Sequence, residues 1–190
     1  MKTKKKWLSS EPPVPPVEVP KLILLYHACV QNAQELLDEA YLLARHTKFA
    51  RATFLALTAL EEMGKAQLVA DYADNCSSAG EFKEAFHSHR TKAAYTMREV
   101  SLKIERSAFG IEQAKSATIL YDVRQAQYQV ETREKALYVE YGEKYEDILL
   151  PSRIAKEEFD YVLERVQDVF DEVENAEWIN GRIGSKGLFK

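Results

Sequence analysis

Apolar residues recur along most of the chain at steps of three and four, the spacing that places them on one face of an α-helix. The first such stretch covers about residues 21–45. A second, at about residues 49–73, follows after only three residues, so the two helices should form an antiparallel hairpin. Further periodic stretches predict helices over about residues 81–108, 111–141 and 151–176.

This pattern predicts an all-α fold, an antiparallel bundle of about five helices. Helix breakers are scarce outside the N-terminus, since the chain has only 7 Gly and 6 Pro. Residues 1–19 are basic and proline-rich and favour an extended tail. Residues 20–178 are predicted to be a single helical domain, and residues 179–190 a flexible C-terminal tail.

Composition limits the partners and the compartment. The net charge of -4 creates no global basic field, so RNA would need a local basic patch. No run approaches the ~20 apolar residues of a membrane span, and prolines replace the apolar core of a secretory signal. Cys29 and Cys76 lack the spacing of a metal site. We therefore expect a cytoplasmic protein without membrane contact, metal or cofactor.

Charged residues interrupt the most apolar part of the second predicted helix. Residues 52–60 are apolar except for threonines, and a helix that is apolar on all sides is normally buried. Projection at about 100° per residue places Glu61 and Lys65 on the inner stripe as an i,i+4 pair, with Glu62 at its edge. Gly64 predicts the close approach of a neighbouring backbone. Buried ion pairs rarely add net stability. We therefore expect this pair either to fix the register of the helix or to serve a function.

The third predicted helix carries a second polar pair. Projection places His89 on the inner face, with Lys92 at the edge of that face, and leaves His87 exposed. A lone histidine on an apolar face is most often a core residue, but here a lysine accompanies it. The two pairs together form a candidate polar cluster of Glu61, Lys65, His89 and Lys92.

A tyrosine-rich stretch marks the fourth predicted helix. Its Tyr138, with Arg124 and Arg133, has the chemistry to stack on and bind RNA bases. Tyrosines at helical spacing also suit the edge of a core or a dimer surface, and both interpretations stay open. Glu84-x-x-His87 has the spacing of half a di-iron site, but the sequence contains no second half.

Several short motifs, in a fixed order, resemble the AbiV-type abortive infection proteins. Residues 59–65, ALEEMGK, are similar to the end of that family's helical hairpin. Residues 89–92 match its His-x-x-Lys element, and residues 135–141, KALYVEY, followed by Pro151, are similar to its later signature. The resemblance covers about residues 21–170.

The resemblance implies an HEPN-like bundle that forms a homodimer and takes part in phage defence, with a phage-encoded activator among its partners. Many HEPN proteins are metal-independent ribonucleases with an Arg-x4-6-His motif. No arginine stands at that spacing before any of the 4 histidines. The nearest substitute before His89 is Lys83, which lacks the planar fork of arginine.

Two functions follow from these residues, and the sequence leaves both open. The first is a defence effector that arrests growth or translation by binding or cleaving RNA. His89 would be its general acid or base, with Lys92 and Lys65 on a phosphate and Glu61 orienting them. The second is a non-enzymatic interaction module that is toxic by binding a phage or translation component. In that case the polar cluster is purely structural.

Overall fold

The computed structural model describes residues 19–73, 78–96, 98–106, 112–121, 123–141 and 148–180. Within these residues the helices are α1 (Val19–Arg45), α2 (Phe49–Ala73), α3 (Ala79–His87), α4 (His89–Tyr95), α5 (Val123–Leu137) and α6 (Lys156–Asn180). The strands are β1 (Arg98–Arg106), β2 (Glu112–Tyr121), β3 (Glu140–Tyr141) and β4 (Ile148–Leu149). The predicted helical bundle is confirmed, with antiparallel strand pairs added to it.

The predicted hairpin of α1 and α2 is confirmed. Residues 46–48 connect the helices, and the amides of His46 and Lys48 donate to the carbonyl of Leu43 at 3.1 and 3.0 Å. Thr47 has a φ of 57°, a left-handed conformation that closes the end of α1. The buried face of α1 carries Leu22, Tyr26, Cys29, Ala33, Leu37 and Ala40.

Helix α2 is the central element of the bundle, because α1, α3, α4, α5 and α6 all contact it. Its side chains are buried on every side between Ala52 and Asp71, as the apolar sequence predicts. Small residues at Ala52, Ala56 and Ala59 let α1 and α6 pack closely against it. Helix α6 contributes Phe159, Val162, Val166 and Val169 to the same core.

The prediction of one long helix over residues 81–108 is wrong, because two short helices and a strand occupy that range. The Ser78–Glu81 capping box starts α3, and the hydroxyl of Ser88 then accepts the amide of Thr91 at 3.2 Å and caps a new helix, α4. Serine competes for backbone donors in this way and so breaks helices. The chain continues into β1, where apolar residues alternate with polar ones, the period of a strand.

The helix predicted over residues 111–141 is also shorter than expected. Its first part is β2, which pairs antiparallel with β1 with a register shift after Lys103. Only Val123–Leu137 is helical, and β3 then pairs with β4. Helix α5 buries a face of small and polar side chains, namely Ala126, Gln129, Thr132 and Ala136.

Gly64 allows α4 to approach α2, as the sequence predicts. A Cβ atom added to Gly64 would clash with the carbonyl oxygen of Lys92 and lie 2.8 Å from its carbonyl carbon. Real Cβ atoms do not approach a backbone so closely. This contact sets the position of α4 beside the charged end of α2.

The predicted tails, residues 1–19 and 179–190, lie almost entirely outside the described residues. Helix α1 starts at Val19 and α6 reaches Asn180, so each helix takes a residue or two from a tail. Among the residues that the structure describes, no helix combines the length and the apolar character needed to cross a bilayer.

Replacing Gly64 with alanine should lower the free energy of unfolding by about 1 to 3 kcal/mol, the usual cost of overpacking. The clash with α4 outweighs the ~1 kcal/mol that alanine gains in helix propensity. Urea denaturation measures the loss. In the matched control, Gly80→Ala, the nearest atom is the Ser78 hydroxyl oxygen at 4.0 Å, so no loss is expected. Equal stability of the two variants would contradict the close approach of α2 and α4.

Candidate functional site

The carboxylate of Glu61 on α2 is the centre of a polar cluster that joins three helices. Its Oε2 atom lies 2.6 Å from Nδ1 of His89 and 3.4 Å from Nζ of Lys92, both on α4. Its Oε1 atom lies 3.1 Å from Nε of Arg133 on α5. We call Glu61, His89, Lys92 and Arg133 the Glu61 cluster.

Glu61 and Lys92 are the buried members of the cluster, and Arg133 is partly buried. The side chains of Glu61 and Lys92 are 7% and 6% exposed, whereas that of His89 is 50% exposed. A carboxylate accepts hydrogen bonds, so Nδ1 of His89 donates to it. The neutral imidazole then carries an unprotonated Nε2 as a proton acceptor. The arrangement orients one half-exposed imidazole by a buried acid, as in other acid–histidine pairs.

Local structure explains how the cluster assembles. Because Ser88 caps α4, His89 is the first residue of that helix, and Lys92 lies one turn further on the same side. Gly64, one turn after Glu61, admits the α4 backbone. The guanidinium of Arg133 also lies over the ring of Phe54, 5.7 Å from its centroid, in a cation–π contact.

The charges of the cluster do not balance. Glu61 contributes one negative charge, while Lys92 and Arg133 contribute two positive ones. Nε of Arg133 is close to Glu61 but lacks a hydrogen bond, so that contact is an ion pair only. Within the cluster, one positive charge is therefore left without a negative counterpart.

Lys65 belongs to a second ion pair, which corrects the predicted Glu61–Lys65 pair. Its Nζ atom pairs with Glu62, which is buried and not at the edge of the stripe. The ammonium also lies 5.7 Å from the centroid of the Phe86 ring on α3. The pKa of the nearby Cys29 thiol is raised from 9.0 to about 11, mainly by burial and also by the charge of Glu62, while Lys65 opposes the rise. A buried thiol of this kind is unreactive.

The two histidines follow the prediction only in part. His87 is exposed, as expected. His89 contacts the buried Glu61 but is itself half-exposed, and Lys92 is buried instead of lying at an edge. The projection assumed one continuous helix, whereas the break at Ser88 rotates α4 relative to α3.

The three predicted RNA-binding residues, Arg124 and Arg133 on α5 and Tyr138 just after it, do not lie together. Arg133 belongs to the Glu61 cluster, whereas Arg124 and Tyr138 are exposed. Nine residues of an α-helix turn through about two and a half turns, so Arg124 and Arg133 point in opposite directions. The sequence signal that Arg133 turns inward is its position on the face of Gln129 and Ala136.

Replacing Glu61 with alanine should lower the free energy of unfolding by about 3 to 5 kcal/mol, because it leaves the buried Lys92 and the partly buried Arg133 without their counter-charge. The midpoint of urea unfolding measures this loss. The matched control is Asp168→Ala, which removes a carboxylate 56% exposed and 3.4 Å from Arg165. That change should stay within about 0.5 kcal/mol. Similar losses in both variants would show that Glu61 is not a structural centre.

Comparison with known proteins tests the resemblance independently of this geometry. A family model described as AbiV, of the HEPN type, matches residues 21–171. No curated protein and no solved structure matched the chain. The matched range contains every member of the Glu61 cluster, and the expected resemblance is confirmed. The chain belongs to the AbiV family of HEPN abortive-infection proteins.

Proposed function

We propose that this abortive-infection protein arrests growth or translation of the infected cell by cleaving RNA at the Glu61 cluster. The observation that carries the proposal is the 2.6 Å contact between the buried Glu61 carboxylate and Nδ1 of the half-exposed His89. It leaves Nε2 as an oriented proton acceptor at the protein surface. RNA is the substrate class because it contains both an anionic phosphate and an adjacent hydroxyl that can attack it.

In the proposed reaction His89 removes the proton from a ribose 2′-hydroxyl. The 2′-oxygen then attacks the neighbouring phosphorus, and the bond to the 5′-oxygen of the next nucleotide breaks. The protonated imidazole, stabilised by Glu61, or a water molecule returns a proton to that leaving oxygen. Lys92 and Arg133 are positioning residues that supply positive charge while negative charge develops on the phosphate.

Arg133 would take the place of the arginine in the Arg-x4-6-His motif, which the sequence lacks. It stands far from His89 in the sequence, yet its guanidinium contacts the same carboxylate that holds the imidazole. An arginine from α5 would thus supply the charge that the motif normally places just before the histidine. Lys83, the nearest substitute in the sequence, is exposed on α3.

The other expected residues and partners belong to the same proposal. Arg124 on α5 and Tyr138 just after that helix are exposed and would contact the RNA strand. Lys65 would contribute no net charge to the reaction, because it pairs with Glu62. The active form would be a homodimer in the cytoplasm, released by a phage-encoded activator.

A second function has one observation in its favour. Glu61 and Lys92 are almost completely buried, as a brace between helices requires. The protein would then be a non-enzymatic module that is toxic by binding a phage or translation component. In that case His89 would matter only for stability.

Substituting His89 with alanine should abolish growth arrest and lower the rate of RNA cleavage by about 10²- to 10⁴-fold, the usual contribution of a general acid–base group. Cleavage of total RNA by purified protein, viable counts after induction and melting temperature should be measured together. The melting temperature should change little, because His89 is half-exposed. His87→Ala, an exposed histidine two residues away, is the matched control and should remain active.

The same measurements separate the two functions. Loss of arrest with intact folding and with less RNA cleavage supports catalysis. If His89→Ala is inactive only in proportion to its loss of folded protein, the interaction module is favoured. Growth arrest without any change in cellular RNA would contradict the ribonuclease proposal.

A further inference from the structure

A cleft opens beside the Glu61 cluster, where α2, α5 and α6 meet. Its floor is apolar, with Leu57 of α2 and Val162 of α6. Tyr128 of α5 and Tyr161 of α6 form its rim, and Gln129 adds a polar amide. The function proposed above does not use this cleft.

The cleft and the Glu61 cluster follow each other along the same two helices. Leu57 lies one turn before Glu61 on α2, and Gln129 lies one turn before Arg133 on α5. Four residues of an α-helix rise about 6 Å, so the two features are that far apart along each axis. The sugar of one nucleotide spans such a distance between its phosphate and its base.

A ligand would bind at the rim of the cleft and not in its interior. The enclosed volume of about 20 Å³ holds little more than one water molecule. The two rings contact edge to face, with centroids 6.5 Å apart and an angle of 77° between their planes. Tyr128 and Tyr161 are nevertheless 40% and 51% exposed. Each therefore presents aromatic surface on which a flat ring can stack.

We infer that this cleft is a nucleobase subsite that positions single-stranded RNA on the Glu61 cluster. The inference rests on the proposed RNA function and adds a base-stacking contact to it. A base presents a flat aromatic face, which suits the exposed rings of Tyr128 and Tyr161 at the rim. The positive excess of the cluster, one turn away, attracts the attached phosphate. Duplex RNA does not fit, because its bases are stacked inside the helix.

The test uses Tyr161→Ala and a single-stranded decamer of 2′-fluoro RNA, which lacks the attacking hydroxyl. Fluorescence anisotropy measures the dissociation constant for the intact decamer and for a series with one abasic position each. Tyr161→Ala should weaken binding of the intact decamer by about 5- to 100-fold, the usual contribution of one stacked base. One decamer of the abasic series, the one that lacks the base held at the cleft, should bind the wild type more weakly by the same factor. Tyr161→Ala should bind that decamer no more weakly than the wild type does.

Two controls keep the test specific. Tyr161→Phe retains the ring and should bind the intact decamer like the wild type. Leu42→Ala removes a side chain that is 57% exposed on α1, outside the cleft, and should also leave binding unchanged. Melting temperatures confirm that each variant is folded.

The outcomes distinguish a failure of the base subsite from a failure of the proposed RNA function. RNA binding and His89-dependent cleavage that are insensitive to Tyr161→Ala would overturn the base subsite alone. The inference would also be overturned if Tyr161→Ala lowered the affinity for the intact decamer and for every abasic decamer by the same factor. A wild-type protein that binds no RNA would overturn both. If Tyr161→Ala instead abolished self-association without affecting RNA affinity, the occupant would be a second copy and the inference would fail.

Discussion

The shared carboxylate of Glu61 is the interaction on which the rest of the site depends. One buried negative charge contacts two cations and an imidazole that come from α4 and α5. Removing any buried charge from such a group leaves the others without compensation, at a cost of several kcal/mol. Replacing the whole group with apolar side chains would often cost nothing. The presence of such a cluster is therefore better explained by position and chemistry than by stability.

The packing of α2 makes this arrangement sterically feasible. Its alanines bring α1 and α6 close, while Gly64 leaves room for the α4 backbone. Helix α4 has only seven residues and would be unstable alone, since isolated helices of that length do not persist in water. Its contact at Gly64 and its ion pairs with Glu61 hold it in place. Folding of α4 and formation of the candidate site are thus the same event.

The sequence was sufficient to predict the parts of the fold that depend on long apolar periodicity. The α1–α2 hairpin and the buried face of α6 follow from residues three and four apart, and Gly64 was correctly expected to admit a backbone. The β1–β2 pair was missed although Val100, Leu102 and Ile104 alternate with polar residues. The scarcity of glycine and proline there favoured a helix over that short strand signal.

The candidate site was predictable where inward faces of neighbouring helices meet, because Glu61 was expected to contact His89 and Lys92 and does so. His89 and Lys92 are three residues apart, so their proximity is a local property. Arg133 joins them through tertiary packing, which no spacing in the sequence encodes, and it was assigned instead to an RNA-binding surface. The break at Ser88 had a similar effect, because one serine changed which side of the chain His89 faces. Local rules therefore brought Glu61, His89 and Lys92 together but identified neither Arg133 as a member nor Glu62 as the partner of Lys65.

The most direct test is hydrogen exchange of Glu61→Gln against the wild type, read by mass spectrometry. This substitution keeps the shape of the side chain and removes its charge. If one carboxylate holds the three helices together, amides of α4 and α5 should lose protection together, while α1 and the first half of α2 keep theirs. Unchanged protection in α4 and α5, or a uniform loss over the whole bundle, would contradict the account.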